Sequence, residues 1–283
     1  MVKIISDSTC DLTPELLEKY DITLTPLYIV SGDKEYRDGV NLIPAELFKK
    51  VEEEKQTFTT AAVNIFDYEK IFEEFSATHD EIVQINISKD FSACNQNALI
   101  AAEGFPKVRI ADSRNLSSGS GHMVLDAAIM AKEGKSADEI VEYINEKAPY
   151  VNASFIIDKL DYLHRGGRCN LAKLITTKIL GIKPCIEVCD GKMRVGKKYR
   201  GKFAAVLDDY VKDRLANPDN IDLSRCFITH TTCTPEIVEQ VRNTIKKCAD
   251  FKEVIETKAG CTISNHCGPN TLGILFKQKT PVV

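Results

Sequence analysis

Short apolar runs alternate with amphipathic stretches along the first half of the chain. The β-branched runs Val2–Ile5, Ile82–Ile87 and Val108–Ala111 predict buried strands. Ile22–Val30 favours an extended segment, and the threonine-rich stretch 57–60 favours a loop. Apolar positions at helical spacing predict helices over Pro44–Glu54, Phe66–Phe75, Asn95–Glu103, Gly119–Lys132 and Ala137–Lys147. This alternation predicts a parallel sheet with helices on both faces.

The second half shows a different succession of elements. Its predicted strands are Ala153–Ile157, Cys226–Thr229, Val254–Thr257 and Leu272–Phe276, and its predicted helices are Leu171–Ile179, Phe203–Leu215 and Pro235–Lys247. Asp190-Gly191 stands between two further extended segments and predicts a β-hairpin. Residues 161–168 are expected to form a loop. We expect a mixed sheet with helices in this half.

A chain of 283 residues is long enough for about two ordinary domains. We place one α/β domain in residues 1–150 and a second in 151–283, with the boundary near Pro149. The fold class is therefore α/β, and the ligand crevice is expected between the two domains.

Composition and charge exclude several classes of protein. The net charge of −4 argues against a general nucleic-acid binder, although residues 1–150 carry −12 and residues 151–283 carry +8. The ten cysteines are scattered without a CxxC pair, which predicts neither a zinc site nor a disulfide framework. No apolar run approaches the roughly 18 residues of a membrane span, and the first residues do not resemble a signal peptide. We expect a cytoplasmic protein without a bound metal.

Hydroxyl-rich loops follow three of the predicted parallel strands, at 6–9, 88–92 and 112–114. The loops that leave the carboxyl ends of such strands form the ligand crevice. Ser92 precedes a predicted helix, so it is a natural N-cap whose hydroxyl could also meet a ligand. For Asp7 and Ser8, local turn and capping bonds are favoured over ligand contacts.

Two further segments carry candidate binding groups. His266 precedes Gly268 and Pro269 in what is expected to be a tight, stiff turn before the last strand. An imidazole there could bind an anionic headgroup, although an isolated histidine of this kind is more often structural. Arg165 and Arg168 flank a glycine pair, and they could either bind an anion or form a solvated basic turn.

The order and spacing of several pieces resemble the DegV family of fatty-acid-binding proteins, which includes the B subunit of bacterial fatty acid kinase. These pieces are Ser6-Asp7-Ser8-Thr9, Ser92, Asp112-Ser113-Arg114, Asp161-Tyr162-Leu163, Arg165-Gly166-Gly167-Arg168, Ile182-Lys183-Pro184 and His266-Cys267-Gly268-Pro269. The resemblance covers essentially the whole chain. It implies two α/β domains that enclose a long-chain fatty acid.

By this resemblance, the hydroxyls of Thr60 and Ser92 bind the carboxylate, with His266 beside them. The protein would carry out no catalysis of its own and need no cofactor. It would present the fatty acid to a separate ATP-binding kinase, which forms the acyl-phosphate, and Arg165 and Arg168 would face that partner. The absence of a P-loop and of a GxGxxG fingerprint agrees with a carrier that leaves ATP to its partner.

The chain departs from the family pattern at three of these places, one of which is Arg168, followed by Cys169-Asn170 where the family favours Ile-Ser. Thr60 is followed by Ala61-Ala62-Val63-Asn64 where the family favours Ser-Gln-Pro-Ser, and Ser92 is followed by Ala93-Cys94 where it favours Gly-Thr. The headgroup residues themselves are retained. The departures affect the geometry of the loop over the acyl chain.

Two alternative functions belong to other classes. Ser92 and His266 could be the nucleophile and base of a hydrolase or acyltransferase, with Asp7 or Asp112 as the orienting group. The chain has no GxSxG elbow to support this. A phosphotransfer subunit related to dihydroxyacetone kinase, with His266 contacting the substrate, is the other alternative.

Overall fold

The computed structural model describes residues 1–166 and 181–282, and of residues 164–166 it describes the backbone only. The strands are β1 (Val2–Asp7), β2 (Ile22–Thr25), β3 (Tyr28–Ser31), β4 (Lys34–Arg37), β5 (Thr59–Ala61), β6 (Glu81–Asn86), β7 (Val108–Asp112), β8 (Val151–Ile156), β9 (Ile182–Cys189), β10 (Lys192–Arg200), β11 (Ile221–His230), β12 (Glu253–Lys258) and β13 (Leu272–Gln278). The helices are α1 (Pro14–Lys19), α2 (Pro44–Glu52), α3 (Ile65–Ser76), α4 (Cys94–Ala102), α5 (Ser117–Lys132), α6 (Ala137–Lys147), α7 (Asp161–Gly166), α8 (Phe203–Arg214), α9 (Pro235–Cys248) and α10 (Cys261–Cys267). The helix predicted over 171–179 lies outside the described residues.

The first half forms the predicted parallel sheet, with strand order β2-β1-β6-β7. Five of the six residues in both β1 and β6 are buried, so side chains on both faces of the sheet are covered. Such two-sided burial is typical of parallel sheets flanked by helices. Because the strands run in one direction, the hydroxyl-rich loops after β1, β6 and β7 all leave the same edge, as predicted.

The second half forms a six-stranded mixed sheet with the order β10-β9-β8-β13-β11-β12. β11 and β12 are parallel, whereas the other neighbours are antiparallel. The predicted hairpin joins β9 to β10, and both turn residues, Asp190 and Gly191, have positive φ. The α/β fold class and the mixed sheet of this half are therefore confirmed, while the domain boundary near residue 150 stays a prediction.

A small antiparallel sheet, β4-β3-β5, was not predicted. The extended stretch expected over Ile22–Val30 consists of two strands, because Pro26 and Leu27 separate β2 from β3 and the two strands join different sheets. The expectation of a loop at 57–60 holds for residues 57–58 but was wrong for Thr59 and Thr60, since Thr59–Ala61 pairs with β3. A strand of three residues is too short to show the alternation of apolar and polar residues by which strands are predicted from sequence. Its consequence is that Thr60 stands on a strand.

Helix α5 lies between the two larger sheets and contacts strands of both. Its first turns are rich in serine and glycine, because bulkier side chains would collide with neighbouring backbone. A Cβ atom on Gly121 would lie 2.7 Å from the carbonyl oxygen of Cys10, and one on Gly119 would lie even closer to the side-chain oxygen of Asn115. The two glycines of the run 117–121 are therefore explained by close packing, mainly against residues of the first half.

Candidate functional site: an apolar cavity with few polar groups

A cavity lies where β5, the loop after β6 and helix α10 meet, and its empty space of about 620 Å³ includes the solvent at its mouth. Its described lining residues come from both halves of the chain and are Leu27, Thr60, Ala61, Ala62, Ile87, Phe91, Ser92, Leu116, Leu163, Met193, Thr262, Ile263, His266 and Cys267. The structure therefore brings the three predicted headgroup residues, Thr60, Ser92 and His266, to one cavity.

The best-defined polar contact in the cavity joins Thr60 to His266. The Oγ1 atom of Thr60 lies 2.8 Å from Nε2 of His266, across 206 positions of sequence. β5 supplies the hydroxyl and α10 supplies the imidazole, so this bond also ties the small sheet to the second half. A hydroxyl and an imidazole at this distance can both contact one oxygen-bearing headgroup.

The expectation that His266 lies in a turn was wrong, because it belongs to the last turn of α10. The turn signal is nevertheless real, since Gly268 ends this helix with φ 78°. A Cβ atom on Gly268 would lie 2.8 Å from the ring of Tyr162. Glycine is required there both by the left-handed backbone and by the close aromatic ring.

The N-terminus of α10 is held by two buried carboxylates from the first half. Asp38 accepts from the backbone N–H groups of Cys261 (2.6 Å) and Thr262 (3.0 Å), and Asp11 accepts from that of Gly260 (2.8 Å). Acceptor oxygens at a helix N-terminus satisfy its unpaired donors. These residues position His266 at the other end of the helix.

Sequence reasoning missed Asp11 and Asp38. Both lie more than 220 positions from the backbone groups that they bind, and α10 has no side-chain cap of its own. Burial raises the pKa of Asp11 to about 8, against the opposing effect of its bonds from Ser117 and Gly260. Asp11 also adopts a left-handed backbone conformation with φ 50°, which is uncommon for a residue other than glycine.

Ser92 lies in the loop before α4, but it is not the N-cap that the sequence predicted. The cap position is Ala93, and Ser92 stands one residue earlier. Its Oγ atom still accepts a hydrogen bond from the backbone N–H of Cys94 at 3.3 Å, and the same hydroxyl donates to the Sγ atom of Cys94 at 3.2 Å. The half-buried serine therefore both supports the start of α4 and lines the cavity.

Asp7 and Ser8 have structural roles, as the sequence favoured. Asp7 is fully buried and accepts from the N–H of Ile87 (2.7 Å) and of Thr9 (3.1 Å). Ser8 donates to Asp38 at 3.2 Å. Asp112 accepts from the backbone N–H of Arg114. The two carboxylates considered as orienting groups for a hydrolase are thus engaged elsewhere.

The expected arginine pair cannot be placed. Arg168 and the side chain of Arg165 lie outside the described residues. The first part of the predicted loop is helix α7, whose backbone includes Arg165. Leu163 from this helix lines the cavity, and Tyr162 packs edge-on against Phe48 at 5.9 Å between ring centroids.

The character of the cavity is apolar with a few hydrogen-bonding groups. None of its described lining residues is Asp, Glu, Lys or Arg. Among the described residues, no cluster of three His, Cys, Asp or Glu side chains could hold a metal ion. Helices in that same part of the chain all fall short of the length and apolarity that a membrane crossing requires. The arrangement suits one uncharged chain with a polar or anionic end.

The fold and cavity define an α/β protein with an apolar cavity lined by residues from both halves. The model of a family described as "Uncharacterised protein, DegV family" matches residues 1–279. A DegV domain-containing protein of Caldanaerobacter subterraneus is 33% identical over 284 residues, which cover 98% of this chain and 99% of the relative. The chain belongs to the DegV family.

Solved structures share the whole fold. A DegV family protein from Thermus thermophilus, described as binding fatty acid, has a TM-score of 0.90 and 25% identity, and the match covers 98% of this chain and 99% of that one. A stearic acid-binding protein from Eubacterium ventriosum has a TM-score of 0.84 and 26% identity, and the match covers 99% of both chains.

Proposed function

We propose that this protein binds one long-chain fatty acid in the cavity, with the carboxylate at Thr60, Ser92 and His266. The observation that carries the proposal is the lining itself, in which these groups interrupt an otherwise largely apolar wall that contains no described charged side chain. The fatty acids named for the similar proteins of Thermus thermophilus and Eubacterium ventriosum support this ligand class.

The energetics favour an acyl chain over a smaller anion. Each methylene moved from water into the apolar cavity contributes about 0.8 kcal/mol. A carboxylate in the same cavity needs hydrogen-bond donors to stay ionised. The hydroxyls of Thr60 and Ser92 can supply two, and the imidazole of His266 can supply a third.

The direct test is a titration with a fluorescent long-chain fatty acid on Thr60→Val and Thr59→Val. Thr60 lines the cavity, whereas Thr59, its neighbour on β5, is exposed and serves as a matched control. Leaving a buried carboxylate short of one donor costs about 1–3 kcal/mol, so Thr60→Val should weaken binding about fivefold or more. Equal affinities for both variants and the wild type would remove Thr60 from the headgroup site.

We further propose that the protein is a carrier without catalysis of its own, which presents the carboxylate to an ATP-binding kinase for acyl-phosphate formation in the cytoplasm. The support is the family membership together with the absence of nucleotide-binding motifs in the sequence. Arg165 and Arg168 are the proposed partner-binding residues. Reversing both charges should reduce phosphorylation by the cognate kinase and spare fatty acid binding, whereas an unchanged phosphorylation rate would contradict this surface.

A further inference from the structure

The hydroxyl of Ser92 donates one hydrogen bond and accepts another, both with the same residue. Cys94 supplies the backbone N–H that the hydroxyl oxygen accepts (3.3 Å) and the sulfur to which the hydroxyl donates (3.2 Å). The thiol is fully buried, while Ser92 reaches the cavity. The direction of the Ser92 hydroxyl hydrogen in this structure is therefore set by a sulfur atom behind the cavity wall.

A buried polar chain runs from the end of β1 to the neighbourhood of that sulfur. Burial raises the pKa of Tyr68, and the Cys94 thiol beside it adds to the shift. Asn86 donates from Nδ2 to the Tyr68 oxygen at 2.8 Å, and the same amide lies 3.5 Å from the carboxylate of Asp7. All four side chains are fully buried. Hydrogen bonds within this series of polar side chains offset part of the free-energy cost of burying Asp7 and Asn86 in the first sheet.

The chemistry of the sulfur decides how firmly it holds the serine. Burial raises the pKa of Cys94 to about 12, so the acceptor is a neutral thiol. Thiol sulfur is a weak hydrogen-bond acceptor, whereas a carboxylate oxygen is a strong one. The Ser92 hydroxyl can therefore exchange its hydrogen bond to sulfur for one to an incoming carboxylate with little loss of free energy.

We propose that the Cys94 thiol is the resting acceptor of the Ser92 hydroxyl, a weak competitor that yields this hydroxyl to the ligand carboxylate. The inference rests on the proposed function, because it assigns Cys94 a part in binding the same fatty acid. In the empty site the serine donates to sulfur. In the occupied site the same hydrogen turns to the ligand carboxylate, while the Cys94 N–H continues to hold the serine oxygen.

The test is a double-mutant cycle read by fluorescent fatty acid titration. Cys94→Ser and Cys94→Ala are each made with Ser92 present and in the Ser92→Ala background. With Ser92 present, an oxygen at position 94 competes with the ligand, so Cys94→Ser should weaken binding about three- to tenfold. Cys94→Ala removes the competitor and should bind at least as tightly as the wild type. In the Ser92→Ala background neither change should alter affinity, because no hydroxyl is left to hold.

Cys226→Ser is the control. The Cys226 thiol is equally buried but packs in the hydrophobic core of the second half, so this substitution should leave the affinity for fatty acid unchanged. A merely structural Cys94 would change affinity by the same factor in both backgrounds, and that result overturns the inference. So does a Ser92→Ala variant that binds as the wild type does, although the fatty acid function would then stand. A wild-type protein that binds no fatty acid would instead refute the proposed function, and the inference with it.

Discussion

Removal of the Asp38 carboxylate should loosen helix α10 and so weaken the site that the helix carries. In Asp38→Ala, three groups lose their acceptor: the N–H groups of Cys261 and Thr262 and the hydroxyl of Ser8. Asp38 is only 4% exposed, so water does not readily replace it. Hydrogen bonds to a charged group contribute about 1.5–3 kcal/mol each, and loss of a helix cap typically costs about 1 kcal/mol. Because these contributions overlap, we expect a loss of about 3–5 kcal/mol.

The assay is urea unfolding followed by circular dichroism, paired with the fatty acid titration. Asp33→Ala is the matched control, because Asp33 is an exposed aspartate in the nearby turn before β4. We expect Asp33→Ala to change the free energy of unfolding by less than about 0.5 kcal/mol. We expect Asp38→Ala to lower fatty acid affinity as well, since His266 stands on the same helix. A loss of stability below about 1 kcal/mol with unchanged affinity would refute the view that Asp38 positions α10.

Three further predictions follow from the same structure. Gly268→Ala should destabilise the protein by about 1–3 kcal/mol in thermal unfolding, because alanine disfavours φ 78° and its Cβ would meet the Tyr162 ring; a neutral change would contradict this. Asp11→Asn should become relatively more stabilising as the pH rises from about 4 to 9. The pKa of Asp11 is raised to about 8 in the folded protein. The protonated side chain therefore contributes fully to the stability of the wild type below about pH 4, and this contribution is lost as the pH passes 8. A stability difference between the two proteins that does not change with pH would refute this. Gly121→Ala should destabilise despite its gain in helix propensity, whereas Gly104→Ala, which points into open space, should not.

Much of the fold could be predicted from the sequence, because its elements carry their own signals. The β-branched runs of β1 and β6, the amphipathic helices α2 and α3, and the Asp190-Gly191 hairpin are each encoded by neighbouring residues. The parallel order then brings the hydroxyl-rich loops to one edge. The family resemblance indicated Thr60, Ser92 and His266, which the structure places around one cavity.

The remainder depends on contacts between distant residues. β5 is a strand because β3 pairs with it, and α10 is a helix because Asp11 and Asp38 satisfy its first donors. A seven-residue helix without a local cap has too little intrinsic stability to leave a pattern. The role of Cys94 was equally hidden, since a buried cysteine is by default a small core residue.

Native mass spectrometry of the purified protein tests the fatty acid assignment most directly. We expect a species heavier than the bare chain by the mass of one long-chain fatty acid. The same fatty acid should appear in an organic extract in a one-to-one ratio, and Thr60→Val should retain less of it than Thr59→Val. A protein that carries no lipid and takes up none when incubated with long-chain fatty acids would contradict the account.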